Sequence, residues 1–193
     1  MPSNSSNSST SPADDESGAS RFTADCSQCG GLCCIVPAYL KTQGFPTNKP
    51  AEHPCRHLTS QGRCEVHDQR LELGFAACTG FDCYGAGQWI TAHYARGQWG
   101  SDAQDDHALA EAYRHWLPRF RIAAMLHTAV KLVRPDLQHI LHARIEAILD
   151  PASELAGASA AVLERETVEL LRPLLSQARP TAGSFRSVHS GSR

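Results

Sequence analysis

The chain has 193 residues, of which 41% are apolar, enough for one compact domain or a small domain with a helical extension. Its formal net charge of −2 excludes the strong basic field that binds nucleic acid or an anionic membrane. No apolar run approaches the length of a transmembrane helix, so neither a membrane nor a nucleic acid is expected as a partner.

The first 20 residues are rich in Ser and Asn and contain no Lys, Arg or apolar run. They lack the basic start and apolar stretch of a secretory signal, so we expect the chain to stay in the reducing cytoplasm. Residues 1–20 and the tail 176–193 cannot bury enough surface to offset the entropy lost on ordering. Both segments are predicted to be disordered.

Residues 21–100 form a cysteine-rich region that contains all eight cysteines of the chain. Its apolar segments are short and interrupted by Gly and Pro, which predicts loops, turns and short strands, with strands around Arg63–His67. So small a core needs cross-links, and clustered thiols in a reducing compartment usually bind metal. The predicted fold is therefore a small metal-stabilised Cys-rich domain followed by an α-helical unit.

Residues 101–175 form the predicted helical region. Ser101 and Gln104 have the spacing of a capping box at the start of the first helix. Pro118 is expected to end or kink that helix, because proline has no backbone N–H and its ring clashes with the preceding turn.

Three further helices are predicted in this region, over 120–133, after Pro135 and after Pro151. The short breaks between them favour antiparallel neighbours. The three tryptophans of the chain are expected to pack between the cysteine-rich and helical regions, because no basic stripe accompanies them.

The cysteines form the main chemical signal of the sequence. They are Cys26, Cys29, Cys33, Cys34, Cys55, Cys64, Cys78 and Cys83. The first two lie on one tight C-x-x-C turn, where both sulfurs can reach a single cation. Gly30 and Gly31 then leave backbone N–H groups free to point at a thiolate sulfur. Adjacent side chains point in different directions, so either Cys33 or Cys34 is expected to reach a second site or remain unligated.

Eight thiols allow two four-sulfur sites, or one site with spare cysteines. Sulfur ligation suits zinc, iron or an iron–sulfur cluster. His57 and His67 flank cysteines and are candidate additional ligands. Lys49, Arg56 and Arg63 are candidates for the positive charges that would surround a site of several thiolates.

Other chemistry receives less support from the sequence. A redox dithiol of the thioredoxin type belongs at the end of a strand in a βαβ unit, and no such unit surrounds Cys26. Gly85 and Gly87 read as a structural turn rather than a phosphate loop, because no apolar strand precedes them. His139 and His142 lie at helical spacing on a face that we expect to be solvated. No catalytic residue is predicted.

The pattern Cys26-x2-Cys29-x3-Cys33-Cys34, with CRHL at 55–58 and RCEVH at 63–67, resembles the CxxCxxCC family of zinc- or iron-chelating proteins. That family is named for its first four cysteines and carries eight in all. Here three residues rather than two precede the double cysteine, and Arg70-Leu71 stands where the family has Arg-Pro. The resemblance implies a zinc or iron site built from the eight cysteines.

A closer resemblance, over residues 24–100, is to the cysteine-rich N-terminal region of actinobacterial pentapeptide-repeat proteins. The shared segments are GLCC (31–34), KPA (49–51), PCRHL (54–58), GF (74–75), CTGFDC (78–83) and GAGQ (85–88). The pentapeptide repeat itself is absent, because residues 135–175 have a helical pattern with prolines. A right-handed β-helix is therefore not expected.

These observations predict a soluble intracellular metal-binding protein whose role is structural, chelating or sensing. One alternative is a redox switch or enzyme that uses the cysteine cluster as its reactive centre. Another is an interaction module whose helices bind a protein partner while the metal shapes the platform. A role other than catalysis is favoured.

Overall fold

A computed structural model describes residues 21–177. The disorder predicted for residues 1–20 and for most of the tail therefore falls outside the described residues. The chain divides into two compact units, the first ending at Ala124 and the second beginning at Met125. Residues 101–124, which the sequence pattern places in the helical region, belong to the unit that contains the cysteines.

The cysteine-rich segment is built from turns and very short helices. It contains 3-10 turns at Cys26–Gln28, Lys41–Gln43 and His67–Gln69, and the short helices α1 (Leu32–Ile35) and α2 (Ala76–Thr79). Leu32 and Ile35 are 0% and 1% exposed, so α1 is anchored in the core by both of its ends. The expectation of loops and turns is confirmed here.

Extended pairing is limited, over residues 21–177, to the antiparallel bridges Tyr39–Lys49 and Leu58–Cys64. The strand expected around Arg63–His67 is therefore reduced to a single bridged position. The chain turns at Gly62, which has a φ of 74°, and again in the 3-10 turn that begins at His67, so the segment between them is too short to extend the ladder.

A helix that the sequence pattern did not predict, α3, spans Ala86–Tyr94. It follows Gly85, whose φ of 82° lets the chain turn sharply into the helix. Ala86 and Ile90 lie one turn apart and are both buried. With nine residues, the helix is too short for its apolar period to stand out among the neighbouring glycines.

The long helix α4 spans Ala103–Val130. It begins where Asp102 Oδ1 accepts the backbone N–H groups of Gln104 at 2.8 Å and Asp105 at 3.1 Å. The capping residue is therefore Asp102 rather than Ser101, because the carboxylate satisfies two of the N–H groups that have no partner within the helix.

Pro118 does not end the helix, so the expectation of two helices over 101–133 is wrong. Proline removes only one backbone hydrogen bond, the one to the carbonyl of Arg114, and that residue is exposed and accessible to water. Trp116, Leu117 and Phe120 are buried on either side of the proline. Their burial favours a continuous helix over a break.

Aromatic side chains join α3 to the first part of α4. The rings of Trp89 and Trp116 lie 4.6 Å apart, and Trp116 Nε1–H donates to the Tyr94 hydroxyl at 2.8 Å. Phe120 lies 5.6 Å from Trp89. The expectation that tryptophans pack between the two regions is confirmed for Trp89 and Trp116, while Trp99 is half-buried.

The second unit contains the end of α4 and two further helices, α5 (Gln138–Leu149) and α6 (Ala160–Ser176). This confirms the last two helices of the predicted set. The apolar residues buried in this unit are Leu126, Ala129, Val130, Val133, Leu141, Ile145, Ile148, Leu149, Leu163, Leu171 and Leu174. No helix within residues 21–177 combines the length and hydrophobicity needed to cross a bilayer.

Candidate metal centre

The cysteine side chains of the first unit surround one cavity of about 870 Å³. All eight cysteines line it, and none is part of a disulfide. The wall also includes His57, His67, Arg63, Arg70 and, from α4, Tyr113, Leu117 and Arg121. The thiols that the sequence selects as metal ligands thus come together around a single space.

The thiols share this cavity without closing around a common point. In the described part of the chain, no group of three or more Cys, His, Asp or Glu side chains is arranged so that it could hold one ion. The fit of this cavity to a metal rests instead on the donor set, on the hydrogen bonds that reach the sulfur atoms and on the charges around them.

The first part of the cavity wall joins the turn Cys26–Gln28 to the start of α3, against which it packs. Gly30 N–H donates to Thr91 Oγ1 at 3.0 Å. Gln88 accepts the Asp25 N–H at 3.2 Å and donates to the Thr23 carbonyl at 2.8 Å. These bonds hold the C-x-x-C turn against the helix that follows Cys83.

Gly87 marks the closest approach between this helix and the thiols. A Cβ at this position would lie 2.8 Å from Cys29 Sγ and 3.5 Å from Cys83 Sγ. Gly87 therefore leaves room for two thiols, and Gly85 provides the turn at the helix start. The interpretation as a structural turn agrees with the structure at Gly85, whereas Gly87 lies within helix α3.

The second part of the wall is assembled by backbone hydrogen bonds between loops. Cys55 N–H donates to the carbonyl of Cys34 at 2.9 Å, so the two cysteines lie side by side. Cys64 pairs with Leu58 in the antiparallel bridge. Cys78 N–H donates to the Phe75 carbonyl at 3.0 Å at the start of α2.

Backbone N–H groups reach three of the sulfur atoms. The Cys29 thiol accepts from Gly31, as expected, and also from Leu32, whereas the N–H of Gly30 donates to Thr91 instead. The Cys55 thiol accepts from His57, and the Cys64 thiol accepts from Val66. Such bonds favour the thiolate, which is the form that binds a metal.

Burial opposes ionisation for most of these cysteines. It raises the pKa values of Cys26, Cys29, Cys55 and Cys64, and it raises that of Cys78 to about 11. These thiols therefore need a compensating positive charge to lose their protons, and a bound cation supplies one.

Cys34 is the exception. Its pKa is lowered to about 7, first because the Cys33 thiol donates a hydrogen bond to its sulfur, and also because the Lys49 ammonium lies nearby. The same hydrogen bond raises the pKa of Cys33. Of the neighbouring pair, Cys34 is therefore the one that ionises, and its titration falls near neutral pH while Cys33 keeps its proton.

Two of the cations selected from the sequence clamp the loops of the cavity. Lys49 Nζ donates to the carbonyls of Ile35, Pro50 and His53 at 2.9, 2.9 and 2.7 Å. Arg63 donates to the carbonyls of Cys26 at 2.5 Å and Ser27 at 3.0 Å. Both cations fix the backbone, and Lys49 also favours the thiolate forms of Cys34 and Cys55.

Sequence reasoning missed a further cation, Arg70. Its guanidinium donates to the carbonyls of His67 at 2.6 Å and Cys78 at 3.1 Å. The contact depends on the turn at Gly74, after which Phe75 N–H returns to the Arg70 carbonyl at 2.7 Å. No local pattern marks such a reversal, so the position of Arg70 could not be read from spacing.

The two candidate histidine ligands also line the cavity. His57 Nε2 accepts from Arg56 Nε at 3.1 Å, and its ring packs edge-on against Phe75. His67 Nδ1 lies 2.9 Å from the Asp68 carboxylate. One nitrogen of each ring is thus occupied by a hydrogen bond, and the other remains the candidate ligand atom.

Comparison with known proteins shows similarity to a distant relative. The chain is 27% identical over 139 residues to the uncharacterized protein YybG of Bacillus subtilis strain 168, an alignment that covers 72% of this chain. The chain spans about half the length of that relative, 49%. No protein-family model matches the sequence. No solved structure matches it.

Proposed function

We propose that this protein binds a thiophilic metal, zinc or iron, through its eight cysteines, and that its role is structural, chelating or sensing. The observation that carries the proposal is that all eight cysteines, unpaired by disulfides, line one cavity. Thiols spread over the segment 26–83 would not be gathered in this way by hydrophobic packing alone, since most of the segment is turn and loop.

Two further features support a metal. N–H groups point at three of the sulfur atoms, and Lys49, Arg63 and Arg70 lie where a thiolate-rich site would carry excess negative charge. A metal would also supply the cross-links that this small core needs, because metal binding contributes folding free energy. A reducing compartment, the cytoplasm, suits thiols kept free for this purpose.

The test is metal analysis of the full chain purified without oxygen and without added metal. We expect zinc or iron in stoichiometric amounts, with visible absorption if iron is present and none if zinc is present. Removal by a strong chelator should lower the melting temperature of the chain. Folded protein that contains no metal and gains no stability from zinc or iron would overturn the proposal.

A redox switch is the second candidate, and the thiolate character of Cys34 beside the Cys33 thiol favours it. In such a switch two thiols would reduce a peroxide to water and form a disulfide. Reversible loss of two thiols under mild peroxide, with a change in structure or metal content, would support this reading. A metal-loaded protein whose thiols resist oxidation would exclude it.

A further inference from the structure

We infer that the thiols of the cavity close around two cations rather than one, each a tetrahedral thiophilic ion such as Zn²⁺ that is bound by four cysteines. The first set consists of Cys26, Cys29, Cys33 and Cys83, and the second of Cys34, Cys55, Cys64 and Cys78. This inference rests on the proposed metal-binding function and assigns each cysteine within it.

The first set is held together around the start of α3. The C-x-x-C turn packs on that helix, and Gly87 places Cys29 Sγ and Cys83 Sγ against the same point of its backbone. Burial raises the pKa of Cys26, and the charges of Cys29 and Cys83 raise it further, each by more than the charge of Cys34 does. Cys26 therefore interacts more strongly with these two thiols than with Cys34.

The second set is held together by hydrogen bonds between loops, and none of these bonds involves the start of α3. Cys55 is tied to Cys34 by a backbone hydrogen bond of 2.9 Å, and Cys64 lies in the bridge with Leu58. Arg70 joins the Cys78 carbonyl to the turn after Cys64. After burial, the charges of Cys34, Cys55 and Cys64 are the next causes that raise the pKa of Cys78.

The two sets meet at helix α1. Cys33 and Cys34 are neighbours on it, their positions point about 100° apart, and the Cys33 thiol donates a hydrogen bond to the Cys34 sulfur. Beyond this pair, the charges of Cys29 and Cys26 act on Cys33, whereas a hydrogen bond from Cys64 reaches Cys34. Burial of Leu32 and Ile35 fixes the helix at its two ends. Tyr39 O–H, which donates to the Cys33 carbonyl at 3.0 Å, fixes it further.

Cations lie beside both sets. Arg63 binds the carbonyls of Cys26 and Ser27 in the first. Lys49 acts on the charges of Cys34 and Cys55 in the second. Arg70 contacts the Cys78 carbonyl of the second set, and its charge also reaches Cys26 of the first. Four thiolates around a divalent ion leave net negative charge, so two sites need cations at two places.

The experiment is a titration of the metal-free full chain with Co²⁺ under reducing, anaerobic conditions. Tetrahedral thiolate-bound Co²⁺ gives visible and near-ultraviolet absorption, and a competing chelator distinguishes tight sites from weak ones. We expect the wild type to bind two Co²⁺ tightly, each with the spectrum of tetrahedral thiolate ligation.

Three double variants test the assignment, and each removes two thiols. Cys29→Ser/Cys83→Ser and Cys55→Ser/Cys64→Ser each damage only one set, so each should retain one tight Co²⁺. Cys29→Ser/Cys64→Ser damages both sets and should retain none. The metal retained by the first two variants also shows that the chain still folds around the intact set.

The outcomes separate the two proposals. One tight Co²⁺ in the wild type, lost equally in all three variants, would overturn the two-site assignment and leave metal binding in place. Retention of a tight site in the cross-set variant but not in the within-set variants would overturn the partition. Absence of tight Co²⁺ or Zn²⁺ binding in the wild type would overturn the proposed function itself.

Discussion

At the scale of single residues, the cavity depends on positions that are not cysteines. Gly87 leaves the space into which two thiols fit. Lys49 ties three carbonyls of the loop 35–53 together through one ammonium group. Both residues position backbone or sulfur atoms without binding a metal themselves. Their substitution should therefore have a different effect from the substitution of a cysteine ligand.

Substitution of Gly87→Ala should weaken metal binding more than it weakens the fold. The new methyl group would lie 2.8 Å from Cys29 Sγ, and rotation of the thiol relieves this clash only by moving the donor atom. Ala gains about 1 kcal/mol of helix propensity over Gly, which offsets the strain in the metal-free protein. We expect about a tenfold loss of Co²⁺ affinity, roughly 1.4 kcal/mol.

Gly80→Ala is the matched control for this change. Gly80 lies at the end of α2, and a Cβ there would meet no atom within 4 Å. Its Co²⁺ affinity should equal that of the wild type. Equal affinity in both variants would show that Gly87 does not hold the thiols in place.

Lys49→Met should lower the free energy of unfolding by about 1–2 kcal/mol, since it removes charge-assisted hydrogen bonds to three carbonyls and keeps the apolar stem. Urea unfolding of the full chain measures the change. Lys41→Met, at an exposed lysine of the same region, should be nearly neutral. The prediction is wrong if the two variants unfold at the same urea concentration.

At the scale of elements, the helices differ in what stabilises them. α4 keeps its course through Pro118 because buried aromatic and aliphatic residues lie on both sides of it. α6 begins at Ser159, whose hydroxyl accepts the Val162 N–H, and it buries one face while the other is exposed. The buried face should therefore determine the stability of α6.

Leu163→Ala in α6 should destabilise the protein by about 2–5 kcal/mol, because the side chain is 0% exposed and its removal leaves a cavity. Val168→Ala is the control on the same helix, with a side chain 51% exposed, and should change stability by less than about 0.5 kcal/mol. Thermal or urea unfolding followed by far-ultraviolet circular dichroism provides the comparison. Similar losses in both variants would contradict the burial pattern of α6.

At the scale of the whole molecule, the two units have different sources of stability. The first unit contains the thiol-lined cavity and a core that includes Tyr113, Trp116 and Phe120 of α4. The second contains the cysteine-free helices α5 and α6. A metal should therefore stabilise the first unit directly.

Cys29→Ser should destabilise the region 21–100 far more than His139→Ala destabilises the helices. Cys29 lines the thiol cavity, whereas His139 is exposed on α5. Parallel thermal melts of the two full-length variants measure this difference. Hydrogen exchange should show the loss of protection concentrated between residues 26 and 83 in the cysteine variant. Equal melting temperatures for both variants would contradict a structural role for the thiols.

Local patterns predicted part of this arrangement correctly. The period of Leu141, Ile145 and Ile148 identified α5, since burial of one helix face imposes its own spacing on the sequence. Gly31 indicated an N–H group at the sulfur of Cys29, because that contact depends only on residues close together in the chain, while the N–H of Gly30 goes to Thr91 on a distant helix. The helix break at Pro118 was wrong because distant packing outweighed the local effect of proline.

The sequence alone determined that eight thiols lie in one segment of this protein, and it determined the helical character of the C-terminal half. Both are properties of residue type and spacing. Only the tertiary structure decided that all eight thiols face one cavity, that Arg70 reaches Cys78, and that Gly87 leaves room for two sulfurs. These depend on how turns bring distant segments together, and the free energy of such contacts is set by packing and desolvation that no local pattern records.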